Sequence, residues 1–314
     1  MLKFGIFTAE DFLRLEPSRR RYSGAHIAYN LLDVGENPTP EQIQIFEDLS
    51  FTLRTSNGTF RTTFRNRFAD VDQVALRLIR RLYPQETRLQ IQDRAVSHGL
   101  TAKEFAEVVF AAYPEAEYEA SDLLLNLVEL TLDTGEIYIA EQDGTPLQYL
   151  KAPFAISVHH REPLRYPLNW WISARARRRF DALRLPQNWT STKGGPGYKV
   201  RTIPYVHPEA LALSRSNRNF SFARRSVFDR TGGSCQVLRA MNILNADYFS
   251  PAQLSEGAAA AWNSLAPGGL WIVGRTLEED FSNHVTFLRR NSDGWEVLER
   301  IGKGSAMERL VSGV

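Results

Sequence analysis

The sequence contains one cysteine, Cys235, only three methionines and no long run of apolar residues. A single thiol cannot form an internal disulfide, and the apolar stretch around Cys235 indicates a buried thiol in a reducing compartment. No apolar run approaches the roughly 20 residues that a membrane-spanning helix needs. The amino-terminal stretch is broken by acidic residues too early for a secretory signal. We therefore expect a cytoplasmic protein without a membrane span.

A strong net charge is also missing, because 38 basic and 36 acidic residues leave a formal charge of +2. This balance provides no broad electrostatic field for nucleic acid or an anionic membrane, so a polyanion would have to bind a local patch. The segment "WWISARARRRF" (170–180) suits an RNA-binding or membrane-surface helix. We prefer an interpretation in which Trp170 and Trp171 pack as a lid over a cleft and the arginines are solvated. Nucleic acid is therefore the less favoured partner.

The sequence also lacks a pattern of metal ligands. His159 and His160 are adjacent, so their side chains point apart in an extended segment, and no other His, Cys or acid lies at ligand spacing. A phosphate-binding P-loop and a Ser-His-Asp pattern are missing as well. We expect no metal site.

Residues 1–85 are predicted to be a helical amino-terminal region. A capping box that starts at Thr39 begins a helix near 40–53, and an apolar stripe from Val71 predicts a second helix that Pro84 ends. At 314 residues and 43% apolar composition, the chain can bury a full core.

Beyond residue 85, short apolar runs alternate with amphipathic stretches, which is typical of an α/β fold with a parallel sheet. "RLQIQDRAV" and "AEYEASD" are predicted strands on either side of the helix "TAKEFAEVVFAAY". Residues 135–205 form an irregular insertion that contains a β-hairpin around Asp143-Gly144. The alternation then resumes, and the chain ends in a predicted antiparallel hairpin.

The segment "DRAVSHG" (93–99) lies where the first of these strands turns into its helix. At such a turn, glycines let backbone N–H groups and the helix N-terminus approach a dinucleotide or adenosyl ligand, and an acid ending the second strand binds the ribose hydroxyls. Asp93 closes the first strand, Gly99 opens the helix, and Asp122 ends the second strand.

This frame resembles the first motif, D-x-G-x-G-x-G, of the class I S-adenosylmethionine-dependent methyltransferases, with Ala95 and Ser97 replacing two glycines. Ala and Ser are small, so a tight turn survives if both positions avoid positive φ. "VLRAMNILNADYF" (237–249) and the turn "LAPGG" (265–269) are similar to the fourth strand of such enzymes and to the turn before the fifth. "MNIL" followed by "YF" is particularly similar to the chemotaxis-receptor glutamate methyltransferases.

The resemblance covers about residues 86–314 without the insertion. It implies a Rossmann-like domain with a seven-stranded, mostly parallel sheet, a terminal antiparallel hairpin and a lid-like insertion at 135–205. It also implies S-adenosylmethionine as cofactor. By position, the methionine moiety would lie against Asp93, Ala95, Ser97 and Gly99, the ribose against Asp122, the adenine against Ser226 and Val227 with Asp229 as an alternative, and the sulfonium against Asn242 as the catalytic residue. The structural alternatives are that Asp93 and Asp122 cap helices and that Asn242 ends a strand.

The activity implied is methyl transfer to an acceptor that the residues do not identify. We rank a small molecule first, then a protein side chain or RNA. The candidate substrate-side residues come from the insertion: Tyr149, His159, His160, Tyr166 and Trp170. Because two glycines are replaced, the alternative is a methyltransferase-fold protein that binds a ligand or partner without turnover.

Overall fold

The computed structural model of the protein describes residues 4–16, 26–53, 55–56, 63–159, 167–232 and 234–311. Its α-helices are α1 (Ala9–Leu13), α2 (Pro40–Ser50), α3 (Ala69–Leu82), α4 (Leu100–Ala112), α5 (Pro167–Ala182), α6 (Pro208–Ser216), α7 (Pro251–Ser264) and α8 (Ala306–Val311). Its strands are β1 (Gln90–Arg94), β2 (Glu117–Asp122), β3 (Asn126–Leu132), β4 (Ile137–Glu141), β5 (Pro146–Lys151), β6 (Phe154–Ser157), β7 (Gly194–Gly195), β8 (Tyr198–Pro204), β9 (Phe220–Arg224), β10 (Cys235–Met241), β11 (Leu265–Thr276), β12 (Asn283–Asn291) and β13 (Gly294–Ile301).

Helix starts follow the capping chemistry of the sequence. The Thr39 hydroxyl accepts a hydrogen bond from the Gln42 N–H, and the Gln42 side chain accepts one from the Thr39 N–H, so the predicted capping box of α2 is confirmed. Ser250 and Gln253 form the same reciprocal pair at the start of α7. In both helices a proline occupies the first turn, where its missing N–H costs no hydrogen bond.

The chain forms two compact units, each built from two separate segments. Unit 1 contains residues 1–63 and 124–208, and unit 2 contains residues 64–123 and 209–314.

Unit 2 is built around a seven-stranded sheet in the order β13-β12-β11-β10-β1-β2-β9. The pairs β9-β2, β2-β1, β1-β10 and β10-β11 are parallel, whereas β11-β12 and β12-β13 are antiparallel. Successive residues of β10 bury opposite faces: Val237 packs in a cluster with Leu78 and Phe105, and Leu238 packs in a cluster with Trp271. The predicted α/β fold with a mostly parallel sheet and a terminal antiparallel hairpin is confirmed.

Strand order reverses in the middle of this sheet. The chain runs outward from β1 to β2 and β9, and then returns to the other side of β1 to form β10 and β11. In open parallel sheets, ligands bind outside the carboxyl ends of the strands where the order reverses. The residues that follow β1 and β10 therefore define the first place to look for a site.

Unit 1 contains a six-stranded sheet, β6-β5-β4-β3-β8-β7, in which every pair is antiparallel. The predicted turn between β4 and β5 is formed by Asp143 and Gly144. Gly144 has a φ of 93°, and the Asp143 carboxylate accepts a hydrogen bond from the Thr145 N–H. One face of the sheet packs against α2 through Phe46 and Leu49, and the other packs near α5, where the Tyr138 hydroxyl donates to the Ala176 carbonyl.

This division differs from the predicted domain boundaries. Residues 1–85 do not form one helical region, because α2 packs in unit 1 whereas α3 packs in the core of unit 2. The segment predicted as an irregular insertion at 135–205 lies within a longer excursion, 124–208, that includes all six strands of the second sheet and α5. Periodicity predicts elements separately, so it could not show that α2 covers a sheet formed some 80 residues later. No helix within the described residues has the length and apolar character that crossing a bilayer requires.

Candidate functional site

The loop after β1 has an unusual backbone. Ala95, Ser97 and Gly99 adopt φ angles of 58°, 57° and 82°. The sequence predicts a tight turn only if Ala95 and Ser97 avoid positive φ; both have positive φ, and the tight turn is nevertheless formed. For a residue with a Cβ, the left-handed region costs about 1–2 kcal/mol, because Cβ crowds the following carbonyl oxygen. The loop thus keeps the conformation of a glycine turn at two positions that are not glycine.

Hydrogen bonds to the second strand hold this loop. The Val96 N–H donates to the Ser121 carbonyl over 3.1 Å, and the Ser97 N–H donates to Asp122 Oδ2 over 2.8 Å. Asp122 is only 5% exposed. The acid predicted to bind ribose therefore lies beside the loop, as its motif requires, and one of its oxygens supports the loop backbone. The buried Ser97 Oγ has no hydrogen-bond partner among the described residues.

Gly99 is required by both conformation and space. It is the residue before α4, where no side chain caps the helix. A Cβ at this position would lie 2.7 Å from the Phe222 ring, which is closer than real Cβ contacts. The start of α4 therefore presents backbone rather than side chain.

Asp93 belongs to a buried charged cluster below the loop. Asp93 Oδ2 accepts hydrogen bonds from Tyr118 Oη at 2.7 Å and from Arg239 Nη1 at 2.9 Å. Arg239 Nη2 donates to Asp72 Oδ1 at 3.1 Å. The guanidinium group lies 4.9 Å from the ring centroids of both Phe68 and Phe105. Asp93 is buried, and its predicted role in cofactor binding stays a prediction.

The cluster has one cation and two carboxyl groups. Burial raises the pKa of Asp72 to about 7, although Arg239 opposes the shift. Burial also raises the pKa of Asp93, against the effects of Arg239 and of the hydrogen bond from Tyr118. Asp93 accepts two hydrogen bonds that favour its charged form, from Tyr118 and Arg239, whereas Asp72 accepts one from Arg239. Sequence reasoning missed Asp72 and Tyr118, and it did not pair Asp93 with Arg239, which lie opposite each other in the parallel pair β1-β10.

Arg94, the last residue of β1, connects the loop to a third segment. Its buried guanidinium donates from Nη1 to the Asp229 carbonyl and from Nη2 to Ser264 Oγ, both at 2.8 Å. No carboxylate within the described ranges forms an ion pair with it. Burial lowers the pKa of Arg94. The side chain fixes the turn that contains the predicted adenine-binding residues.

That turn, residues 226–229, follows β9. The Ser226 N–H donates to Asp229 Oδ2 at 3.0 Å, and the Phe228 N–H donates to Ser226 Oγ at 3.2 Å. Val227 is buried. Just before the turn, the Arg225 N–H donates to the Asp122 carbonyl. The predicted ribose and adenine residues therefore lie at the same edge of the sheet, and the adenine role of Ser226 and Val227 stays a prediction.

Asn242 follows β10 and has a left-handed backbone, with φ at 61°. Its N–H donates to the Gly274 carbonyl at 2.8 Å, and its Oδ1 accepts from the Thr276 N–H at 2.7 Å. Because an N–H can only donate, this contact fixes which side-chain atom is the oxygen. The Oδ1 atom of Asn242 thus has the structural role that the strand-ending alternative gives this residue. Its Nδ2 atom has no hydrogen-bond partner within the described chain.

The predicted substrate-side residues lie in unit 1 or outside the described residues. The buried Tyr149 hydroxyl donates to Glu136 Oε1 at 2.9 Å, and His159 Nε2 contacts the Pro146 carbonyl at 2.8 Å. These contacts indicate structural roles for both. Trp170 and Trp171 are 42% and 54% exposed, so neither is packed as predicted. His160 and Tyr166 lie outside the described residues. In the ranges that the structure describes, no group of His, Cys, Asp or Glu could hold a metal ion.

No protein-family model matches the chain, and no curated protein matches its sequence. Solved structures that match include a proposed S-adenosylmethionine-dependent methyltransferase from Methanococcus maripaludis, at 8% identity and a TM-score of 0.33, covering 77% of this chain and 67% of that chain. A proposed O-methyltransferase from Nostoc punctiforme matches at 14% identity and a TM-score of 0.31, covering 87% and 53%.

A third match is a phosphoethanolamine N-methyltransferase from Haemonchus contortus in complex with S-adenosylhomocysteine, at 10% identity and a TM-score of 0.31, covering 67% of this chain and 30% of that chain. The chain therefore spans about half of the Nostoc protein and under a third of the Haemonchus protein. None of the three is a chemotaxis-receptor methyltransferase, so that similarity stays a prediction.

Proposed function

We propose that unit 2 binds S-adenosylmethionine and transfers its methyl group to an acceptor, with a small molecule as the first candidate. The observation that carries this proposal is the left-handed backbone at positions 95, 97 and 99, directly after β1. Two of these residues have a Cβ, so the conformation is strained, and strained backbone persists where the surrounding structure or a function requires it. It occurs at the reversal of strand order, where parallel sheets bind ligands.

The residues around the loop fit an adenosyl ligand. Asp122 is a buried carboxylate at the end of the second strand, in position to accept from ribose hydroxyls. The buried Ser97 Oγ still requires a hydrogen-bond partner, which a polar group of the ligand would provide. The turn at 226–229 would border the adenine. Asp93 would position the loop from below without touching the ligand.

S-adenosylmethionine supplies a methyl group that its positively charged sulfur already activates. The protein therefore has to hold the acceptor in line with that methyl group and exclude water. Asn242 Nδ2 would donate a hydrogen bond to an acceptor atom, while Oδ1 remains bound to the Thr276 N–H and keeps the side chain in one orientation.

The test is calorimetric titration of the whole protein with S-adenosylhomocysteine and S-adenosylmethionine, with NAD as a matched control ligand. We expect one site per chain for the two sulfur ligands and weaker or no binding of NAD. A lack of binding to both sulfur ligands at millimolar concentration would refute the proposal. Tighter binding of NAD would replace it with a dinucleotide site.

The second candidate is a protein that binds the adenosyl ligand without turnover. It is favoured by the side chains of Ala95 and Ser97, which stand where the family motif has hydrogen atoms, and by the hydrogen bond that occupies one Asp122 oxygen. Transfer of a labelled methyl group to any acceptor would eliminate this candidate. Tight S-adenosylhomocysteine binding with no transfer across small-molecule, protein and RNA acceptors would favour it.

A further inference from the structure

The outward face of α5 in unit 1 combines exposed aromatic and basic side chains. Its amino-terminal half carries Leu168, Trp170 and Trp171, which are 45%, 42% and 54% exposed. Its carboxyl-terminal half carries the exposed arginines Arg175, Arg177 and Arg178. We call these six residues the Trp-Arg face. Adjacent exposed tryptophans are unusual on a surface that has no partner, since each indole has a large apolar area.

The opposite side of α5 fixes the orientation of this face. Asn169, Ser173 and Ala176 are the buried residues of the helix, and the Tyr138 hydroxyl of β4 donates to the Ala176 carbonyl. Ile172 and Phe180 of the same helix pack against the hydrophobic cluster of unit 1, so a rotation that buried the two indoles would remove these side chains from the core. The Trp-Arg face is therefore a fixed outward surface of unit 1.

The arginines of the Trp-Arg face carry charges that no carboxylate in the described part of the chain neutralises. Arg179, which is not a member, forms an ion pair with Glu136, whereas Arg175, Arg177 and Arg178 form none with the described residues. The one acid on the helix is Asp181. The Arg175 guanidinium lies 5.8 Å from the centroid of a Trp171 ring. Positive charge and flat aromatic surface thus occur side by side.

We propose that the Trp-Arg face binds single-stranded nucleic acid. Bases stack on Trp170 and Trp171, and the phosphates contact Arg175, Arg177 and Arg178, which is the combination that sequence-tolerant single-strand binding uses. This function is separate from methyl transfer and does not depend on the cofactor.

A membrane surface fits the Trp-Arg face less well. A helix that lies in a bilayer interface has apolar residues on the side facing the acyl chains and basic residues on the other side. In α5 the other side is buried against unit 1, and the aromatic and basic residues share the exposed side. Half of the surface that would enter the bilayer is therefore charged, whereas a polyanion with planar bases complements both kinds of side chain.

The experiment measures fluorescence anisotropy of a labelled 20-nucleotide oligouridine mixed with the whole protein, from 50 to 300 mM NaCl. We expect binding that weakens with salt, because each neutralised phosphate releases counterions. Trp170→Ala with Trp171→Ala should raise the Kd at least about fivefold, the lower end of the effect of losing one stacking aromatic. Arg175→Gln, Arg177→Gln and Arg178→Gln together should reduce the slope of log K against log salt by about 2.

The matched control replaces three exposed arginines of unit 2 that also form no ion pair with described residues, as Arg80→Gln, Arg81→Gln and Arg218→Gln. It removes the same charge and should leave both the Kd and the salt slope unchanged. Circular dichroism of every variant checks the fold, and the arginine variant alone still tests the proposal if the tryptophan variant does not fold.

Three results would overturn the proposal: no binding of oligouridine at 50 mM NaCl, equal weakening by the control variant, or equally tight binding of a blunt duplex of the same length. Sedimentation with phosphatidylcholine–phosphatidylserine vesicles, in the absence of RNA binding, would assign the Trp-Arg face to a membrane instead.

Discussion

Ala95 and Ser97 adopt a backbone conformation that glycine reaches without strain. We predict that Ala95→Gly leaves the free energy of unfolding unchanged or raises it by up to about 1 kcal/mol. Relief of the left-handed strain, about 1–2 kcal/mol, offsets the greater entropy of glycine in the unfolded chain, about 0.5–1 kcal/mol. Urea unfolding measures the change.

The control for this variant is Ala111→Gly, which changes the same atoms at an exposed position of α4. It should lower the free energy of unfolding by about 0.5–1 kcal/mol, because a helical alanine has no strain to relieve. An Ala95→Gly variant that is destabilised as much as this control would contradict the assignment of strain to position 95.

In our proposal Asp122 accepts hydrogen bonds from the Ser97 N–H and from the ribose. Two substitutions distinguish the contribution of each hydrogen bond. Asp122→Asn keeps an oxygen for the Ser97 N–H but loses the charge, so S-adenosylhomocysteine binding should weaken about tenfold or more while stability changes little. Asp122→Ala removes both acceptors, so it should also lower the free energy of unfolding by about 1–3 kcal/mol. Calorimetry and urea unfolding measure the two effects, and unchanged binding in both variants would remove Asp122 from the site.

At the scale of elements, the cluster of Asp93, Arg239 and Asp72 joins β1, β10 and α3. When folding raises the pKa of a carboxyl group, the folded state binds more protons than the unfolded state at pH values between the unfolded-state pKa and the folded-state pKa. The free energy of unfolding contributed by Asp72 therefore falls as the pH rises from about 4 to about 7. The fall should amount to roughly 1–4 kcal/mol.

Asp72→Asn removes this titration and keeps an oxygen for Arg239. We predict that the free energy of unfolding of this variant depends less on pH between 5 and 8 than that of the unchanged protein, as measured by urea unfolding at both values. Parallel pH profiles for the two proteins would show that Asp72 is ionised throughout this range.

Arg239→Met tests the cation of the same cluster. It leaves two buried carboxyl groups without their partner, so it should lower the free energy of unfolding by about 3–5 kcal/mol. A loss below 1 kcal/mol in urea unfolding would mean that the ion pairs do not hold the three elements together.

At the scale of the whole molecule, the sequence predicted the parts of unit 2 better than their surroundings. Local signals were sufficient for β1, α4, β2 and the terminal hairpin, because each depends on periodicity or a turn within about 15 residues. The positions of the loop at 93–99 and of Asp122 were predicted from the same strand-helix-strand order. The left-handed angles of Ala95 and Ser97 could not be predicted, because a Cβ makes this conformation cost about 1–2 kcal/mol and local preference therefore opposes it.

The errors arose where distant segments meet. The packing of α2 in unit 1 depends on a sheet that begins some 80 residues later, and the salt bridges of Arg239 join residues 146 and 167 positions apart. Apart from the β4-β5 hairpin, the antiparallel sheet of unit 1 was not predicted; β3, for example, is mostly buried along its length and lacks a clear alternation. Neighbouring strands from distant parts of a chain leave no local pattern.

The pairing of β1 with β10 determines how late in folding the centre of the parallel sheet can form. Asp93 of β1 and Arg239 of β10 are 146 residues apart, whereas β3, β4, β5 and β6 are joined in succession by short turns. Loop closure over long distances slows folding, so the antiparallel sheet of unit 1 should form before the centre of the parallel sheet. Pulsed hydrogen exchange during refolding should show early protection of amides in β4 and β5 and late protection in β1 and β10. On a ribosome, β1 can pair with β2 soon after synthesis, but its other edge stays unpaired until β10 is made, and that edge must remain unaggregated while residues 124–208 are synthesised.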